Sequence, residues 1–197
     1  MQFLGTGWVT IGGPAGQIFE CAGTLCATYP TTANVARYNA TTGLWSVIGG
    51  PGSRFAATTT QVFGIGPWQD DYVARWTGSG STWNTVGTGG ASELIGGGTS
   101  MYRITNVKDA IQRFNGVSTW TPIGGSGRSF VAVGSNVYGL RPDASFIMRY
   151  TGTNWVSIHG AASRIFSSNG YLLATNPDDT IERYDAVAGT WTNLGKP

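Results

Sequence analysis

Apolar residues fall in short runs of four to six, separated by turns rich in Gly, Asn, Ser and Thr, and the runs recur along the chain. SFVAVG, NVYGL, FIMRYT and NWVSI follow one another from Ser129 to Ile158, and RIFSS and YLLATNP repeat the first two further on. No segment sustains a 3.6-residue period, so each run predicts a β-strand. FVAV and YLLA are apolar at consecutive positions, where a half-exposed strand would alternate; strands covered on both faces are expected. Turns such as Gly134-Ser135-Asn136 and Thr151-Gly152-Thr153 suit tight reversals. Four successive strands, A to D, therefore form an antiparallel meander.

Tryptophan sets the period of that meander. Trp8, Trp45, Trp83, Trp120, Trp155 and Trp191 are separated by 37, 38, 37, 35 and 36 residues, and only Trp68 and Trp76 fall outside the series. A short β-prone stretch ending in glycine follows most of them (WVTIGG, WSVIGG, WTPIGG), and an Arg-aromatic pair precedes each later one, as in Arg37-Tyr38, Arg149-Tyr150 and Arg183-Tyr184. One such unit cannot bury both faces alone, whereas units packed side by side in a ring can. The expected fold is all-β, a single β-propeller of four-stranded antiparallel blades, with repeats at about 8–44, 45–82, 83–119, 120–154 and 155–190. A β-sandwich also fits strands at this spacing. The D strand occurs six times and A, B and C five times, so five blades are expected, with six, one of them incomplete, as the alternative. Residues 1–12 and 191–197 are assigned to ring closure, and the surplus D strand could instead meet another copy of the chain.

Composition narrows the functional classes. Glycine contributes 31 of 197 residues and charged residues 11%, against roughly 7% and 25% in ordinary domains. Eight each of Trp, Tyr and Phe exclude a disordered chain, and no apolar run reaches the length of a membrane helix. A net charge of +2 without a basic stripe argues against nucleic acid as a partner. Cys21 and Cys26 flank a tight hairpin turn and are expected as a pair of reduced core thiols. The first residues lack an export signal, which favours a cytoplasmic or non-classically released protein.

Catalytic chemistry is not expected. His159, the only histidine, is read as a loop substitution at the second position of the glycine pair seen at Gly50 and Gly125, and a site needs a base with partners. No cofactor is implied. Asp70, Asp71, Asp143, Asp178 and Asp179 lie in B–C turns and read as solvated turn acids; isolated carboxylates in successive blades do not form a calcium cage.

The unit W-x-x-I-G-G, an A strand, VYG, then I-x-R-Y-x-G and the next Trp resembles the tectonin repeat of propeller lectins, most closely between Trp120 and Trp191. The resemblance covers essentially the whole chain. Tectonins usually close six blades, and five blades are similar instead to the tachylectin family, whose repeats are longer. The resemblance implies carbohydrate recognition, with methylated or acetylated glycans as the ligand class.

The repeated Trp could stack on sugars or fill the space between blades, and packing is the expected role. The repeated Arg is expected to be partly buried, stacked on an aromatic ring and bonded to carbonyls of the adjoining blade. In an antiparallel meander the B–C and D–A turns emerge on one face. That face carries Tyr29, Trp68, Asn106, Arg141 and Asn176, together with Arg54, Arg128 and Arg164, and Gln17 and Glu93 near the corresponding places. These donors and aromatic platforms suit sugar hydroxyls and rings. The expected function is a multivalent lectin without metal or cofactor; the alternative is a protein-interaction propeller.

Overall fold

Alternating tight turns and short strands fold the chain back on itself at every step. The computed structural model of the protein describes residues 1–3, 5–66 and 72–197, and its regular structure is entirely β. The chain forms two compact units, residues 1–94 and 95–197. Trp68, Asp70 and Asp71 lie outside the described residues.

In the first unit, β1 (Gln2–Phe3) and β2 (Trp8–Val9) form a two-stranded sheet among the described residues. Blade 1 follows as β3 (Ile18–Glu20), β4 (Leu25–Thr28), β5 (Asn34–Asn39) and β6 (Leu44–Pro51). Blade 2 comprises β7 (Arg54–Ala57), β8 (Val62–Ile65), β9 (Tyr72–Trp76) and the start of β10 (Trp83–Gly97). The end of β10 begins blade 3, which continues in the second unit with β11 (Ser100–Thr105), β12 (Ala110–Phe114) and β13 (Trp120–Gly125). Blade 4 is β14 (Ser129–Val133), β15 (Asn136–Leu140), β16 (Ile147–Tyr150) and β17 (Trp155–His159). Blade 5 is β18 (Arg164–Ser168), β19 (Tyr171–Thr175), β20 (Ile181–Asp185) and β21 (Thr190–Gly195).

The fold class is thus the expected one, a β-propeller of four-stranded antiparallel blades, with five complete meanders. The Trp191 strand completes blade 5, and the surplus Trp8 strand sits in its own hairpin. Second strands are the most buried: all four residues of β8 and Val137 to Leu140 of β15 are buried. In the second unit Tyr138, Leu140 and Ile147 of blade 4 pack against Ile165, Leu172 and Tyr184 of blade 5, with the two tyrosine rings edge to face at 6.0 Å. Asn169 and Gly170, at φ 48° and 77°, supply the two positive φ values of the two-residue turn between β18 and β19.

In blades 1, 3, 4 and 5 the last strand carries a β-bulge at the same place, and in blade 2 a longer shift falls between Thr85 and Gly90. Ala36 pairs with Val47 and Val35 with Gly49, leaving Ile48 unopposed; Ile123, Ile158 and Leu194 are skipped in the same way in blades 3, 4 and 5. An unopposed residue has a carbonyl free of the ladder, which matters for the site below.

The cysteines differ from expectation. Cys21 and Cys26 are joined in a disulfide, not held as reduced thiols. Ala22 and Gly23 adopt φ of 49° and 80°, and Cys21 N–H donates to Thr24 O at 2.8 Å. This tight turn leaves the two Cα atoms 5.4 Å apart, a separation that a disulfide spans. The bridge closes a short loop, so replacing both cysteines by serine should lower stability by about 2 kcal/mol. Urea denaturation of the oxidised protein and the double variant measures it, and equal midpoints would show the bridge to be dispensable.

Candidate functional site

Four of the repeated tryptophans are anchored to a backbone carbonyl of the stretch that follows the previous Trp, and for Trp83, Trp155 and Trp191 that carbonyl belongs to a bulge residue. The indole N–H of Trp45 donates to Ile11 O at 2.5 Å, Trp83 to Ile48 O at 2.6 Å, Trp155 to Ile123 O at 2.6 Å and Trp191 to Ile158 O at 2.9 Å. The acceptor is always three residues past the previous Trp. The next residue is glycine in most copies because the indole lies on it: a Cβ at Gly12 or Gly124 would stand 3.0 or 2.6 Å from the indole nitrogen, and one at Gly49 would overlap the Trp83 ring. W-x-x-I-G is therefore an interlocking motif, and the Trp fills the space between blades as expected.

The far side of the indole faces an open slot in three blades. In blade 2 a cavity of about 350 Å³ is lined by Phe55, Gly64, Gly66, Tyr72, Ala74 and Trp83. Blade 1 has one of about 320 Å³ between Trp45, Ile18, Ala27, Ala36, Tyr29 and the turn Gly12-Gly13-Pro14. Blade 4 has a smaller one of about 100 Å³ lined by Phe130, Gly139, Arg141, Met148, Trp155 and Gly127. Glycine makes the space: a Cβ at Gly64 or Gly139 would meet the edge of Phe55 or Phe130 at 2.7 and 2.8 Å. The slots open beside D–A turns and the residue after the second strand, on the face expected from strand direction.

The predicted residues divide accordingly. Tyr29, Arg141 and Asn176 occupy one repeated position, the residue that follows the second strand; Tyr29 and Arg141 line slots. Arg141 lies over Phe146, with its guanidinium 5.9 Å from the ring centroid, and 3.9 Å from Asp143. Asn106 also follows its second strand but is one step out of register, since Thr105 is the residue that corresponds to Arg141, and it lies in an exposed turn. The three arginines do not share a position. Arg54 pairs with Ile65 and Arg164 with Thr175, whereas Ser129 is the residue that pairs with Leu140. Arg128 instead matches Ser53 and Ser163, all three donating a backbone N–H to the same carbonyl row at 2.8 to 2.9 Å. All three arginine side chains are exposed, none lines a slot described above, and Arg164 lies along its own strand over Phe166.

The repeated Arg of the third strand stacks as expected, Arg37 over Trp76 at 5.8 Å and Arg183 over Tyr171 at 4.6 Å. The expected carbonyl partners are not made by their Nε atoms, which are buried without a hydrogen bond. Asp143 and Asp178 serve their own turns. Ser145 and Thr180 each donate a hydroxyl (2.6 Å) and a backbone N–H (3.1 Å) to one carboxylate oxygen, which holds both carboxyls below the usual range.

His159 occupies a different position from the one expected. It pairs with Ile147, as Gly124 pairs with Ile111 and Gly49 with Val35, so it replaces the first glycine of the pair, not the second. Its ring packs on Trp191 at 4.5 Å, and its Nε2 lies 2.7 Å from Glu182 Oε2. Asn176 Nδ2 donates to the same oxygen at 2.9 Å. Counting four residues from Trp155 would have placed the histidine correctly.

No family model and no curated protein matches the sequence. The architecture is that of a β-propeller, and solved propeller-like structures are similar to it at low identity. The ectodomain of a receptor kinase from Physcomitrella patens aligns with 87% of this chain and 50% of its own, at 15% identity and a TM-score of 0.62. A catalytically inactive virginiamycin B lyase from Staphylococcus aureus, solved with quinupristin, aligns with 92% of this chain and 70% of its own, at 10% identity and a TM-score of 0.58. A Bacteroides thetaiotaomicron protein of unknown function aligns with 91% and 57%, at 15% identity and a TM-score of 0.55. This chain spans 50% of the receptor-kinase ectodomain and 57% of the Bacteroides protein.

Proposed function

We propose that the protein is a carbohydrate-binding lectin whose related sites are the slots over the repeated tryptophans, and that its ligands are methylated or acetylated glycans. The observation that carries this is the recurrence, at equivalent places in blades 1, 2 and 4, of a slot with an indole on one side and turn groups at its rim. The aromatic and aliphatic lining suits the C–H face of a sugar or an apolar methyl or acetyl substituent, while rim groups such as the Tyr29 hydroxyl and Arg141 guanidinium can reach hydroxyls. Shallow sites of this kind bind weakly one at a time and gain avidity on dense glycans. This reading is one of binding, and it gives His159 a packing role between Trp191 and Glu182.

Filling the two larger slots tests this. Ala36→Leu and Ala74→Leu together should reduce retention on a glycan array at least tenfold while leaving the thermal melting curve close to that of the parent. Unchanged retention by a folded double variant would refute the assignment. Binding to a protein partner that free monosaccharide does not compete would favour an interaction propeller instead.

A further inference from the structure

Two of the five tryptophan slots are occupied by the protein itself. Building on the lectin assignment, we infer that blades 3 and 5 have lost the sugar site to built-in polar plugs, so that the chain carries three binding slots, on blades 1, 2 and 4.

Two residues bound each open slot along the strands. The second-strand position is Ala27, Gly64 or Gly139, and the third-strand residue paired with it is Ala36, Ala74 or Met148. In blade 3 the same pair is Arg103 and Gln112. Arg103 is only 5% exposed; its guanidinium lies 4.8 Å from the centroid of Trp120, and its Nε donates to Gln112 Oε1 at 2.8 Å. A buried guanidinium needs such partners, because burial disfavours its charge, and burial does lower the pKa of Arg103 from its usual value. The face of Trp120 equivalent to the open face of Trp83 or Trp155 is thereby covered.

Blade 5 is closed from the other side. Its second-strand residue, Ala174, is small, but the third-strand position carries Glu182. The partner is His159, standing where the open slots of blades 1, 2 and 4 have Gly12, Gly49 and Gly124. Its ring lies on Trp191 and its Nε2 on Glu182, with Asn176 bonded to the same carboxylate. Each plug is thus two changes that bond to each other, and each shares the third-strand position, Gln112 or Glu182, that is apolar in the open blades. A chance surface substitution would bring no matched partner; a polar group placed over an indole requires one.

The stapling indoles report on every slot separately. In a ¹H–¹⁵N spectrum, titration with N-acetylglucosamine and with 3-O-methylglucose should shift the indole signals of Trp45, Trp83 and Trp155 and leave those of Trp120 and Trp191 in place. The double variants Arg103→Gly with Gln112→Ala, and His159→Gly with Glu182→Ala, should each bring one silent indole into the responsive set. The reverse exchange, Gly139→Arg with Met148→Gln, should silence Trp155. Shifts of all five indoles in the parent would overturn the closure of blades 3 and 5 and leave the lectin assignment standing. So would opened variants that fold but gain no response. If no indole responds to either sugar in the parent or in an opened variant, the lectin assignment falls and the inference with it. Should a variant fail to fold, the pattern in the parent alone decides.

Discussion

Trp155→Ala is expected to lower folding stability by about 3–5 kcal/mol, and Trp155→Phe by about 1–3 kcal/mol. The alanine variant loses a large ring packed against Phe130 and Tyr150, at centroid distances of 5.9 and 5.4 Å, and leaves a void between blades 3 and 4. The phenylalanine variant keeps one aromatic ring between the blades and removes the other together with its N–H, so a modest loss of apolar contact adds to the loss of a polar partner. The polar loss is the bond to Ile123 O, and Ile123 is the bulge residue whose carbonyl has no ladder partner in register. An unpaired buried acceptor costs more than a typical hydrogen bond contributes, which sets the expected range for phenylalanine. Guanidinium denaturation measures both variants. If Trp155→Phe lies within about 0.5 kcal/mol of the parent, in the range of neutral surface changes, the bulge-to-indole bond is not a structural link.

The second large effect comes from a methyl group. Gly49→Ala should destabilise by about 3 kcal/mol, the upper part of the overpacking range, whereas Gly50→Ala should leave the midpoint nearly unchanged. The two glycines are adjacent in sequence, and neither is held at a positive φ. A Cβ on Gly49 would overlap the Trp83 indole, which is fixed by its bond to Ile48; a Cβ on Gly50 meets nothing within 4 Å. Comparison of the two thermal midpoints removes composition and backbone entropy from the test, since both variants exchange glycine for alanine. Equal losses would mean that backbone freedom, not the interlock, demands glycine here. Blade 5 shows how the rule bends: with His159 at this position the indole bond is kept but is 2.9 Å long, against 2.5 to 2.6 Å in the other three.

Much of this architecture is legible in the chain. Period, strand number and the packing role of the tryptophan all follow from spacings, because every blade solves the same packing problem with the same few residues. The face on which the slots open also follows, since strand direction in a meander leaves no choice. Register was harder to read. Arg54, Arg128 and Arg164 look like one repeated position beside glycine turns, yet turns of unequal length put Arg128 one residue out of step with the other two. His159 lies one place from the expected position although its spacing from Trp155 equals that of Gly49 from Trp45, because the glycine after it, Gly160, mimics the second member of the pair, and a single step changes which face a side chain takes. The reduced state expected for Cys21 and Cys26 failed because residue type does not report how closely a turn brings two sulfurs together.

The sequence alone therefore determined the repeat, the four-stranded blade and the packing role of the tryptophan, all of which depend on local spacing that each copy restates, while the bond from indole to carbonyl that makes glycine necessary came from the structure. Only the tertiary structure decided which slots are open. Arg103 and Gln112 are nine residues apart, His159 and Glu182 are 23 apart, and nothing in either stretch announces that the two side chains meet over an indole. A slot is a volume left between strands, and its being empty or filled depends on side-chain contacts between strands, within a blade for Arg103 and Gln112 and across blades for His159 and Glu182, that no linear pattern encodes.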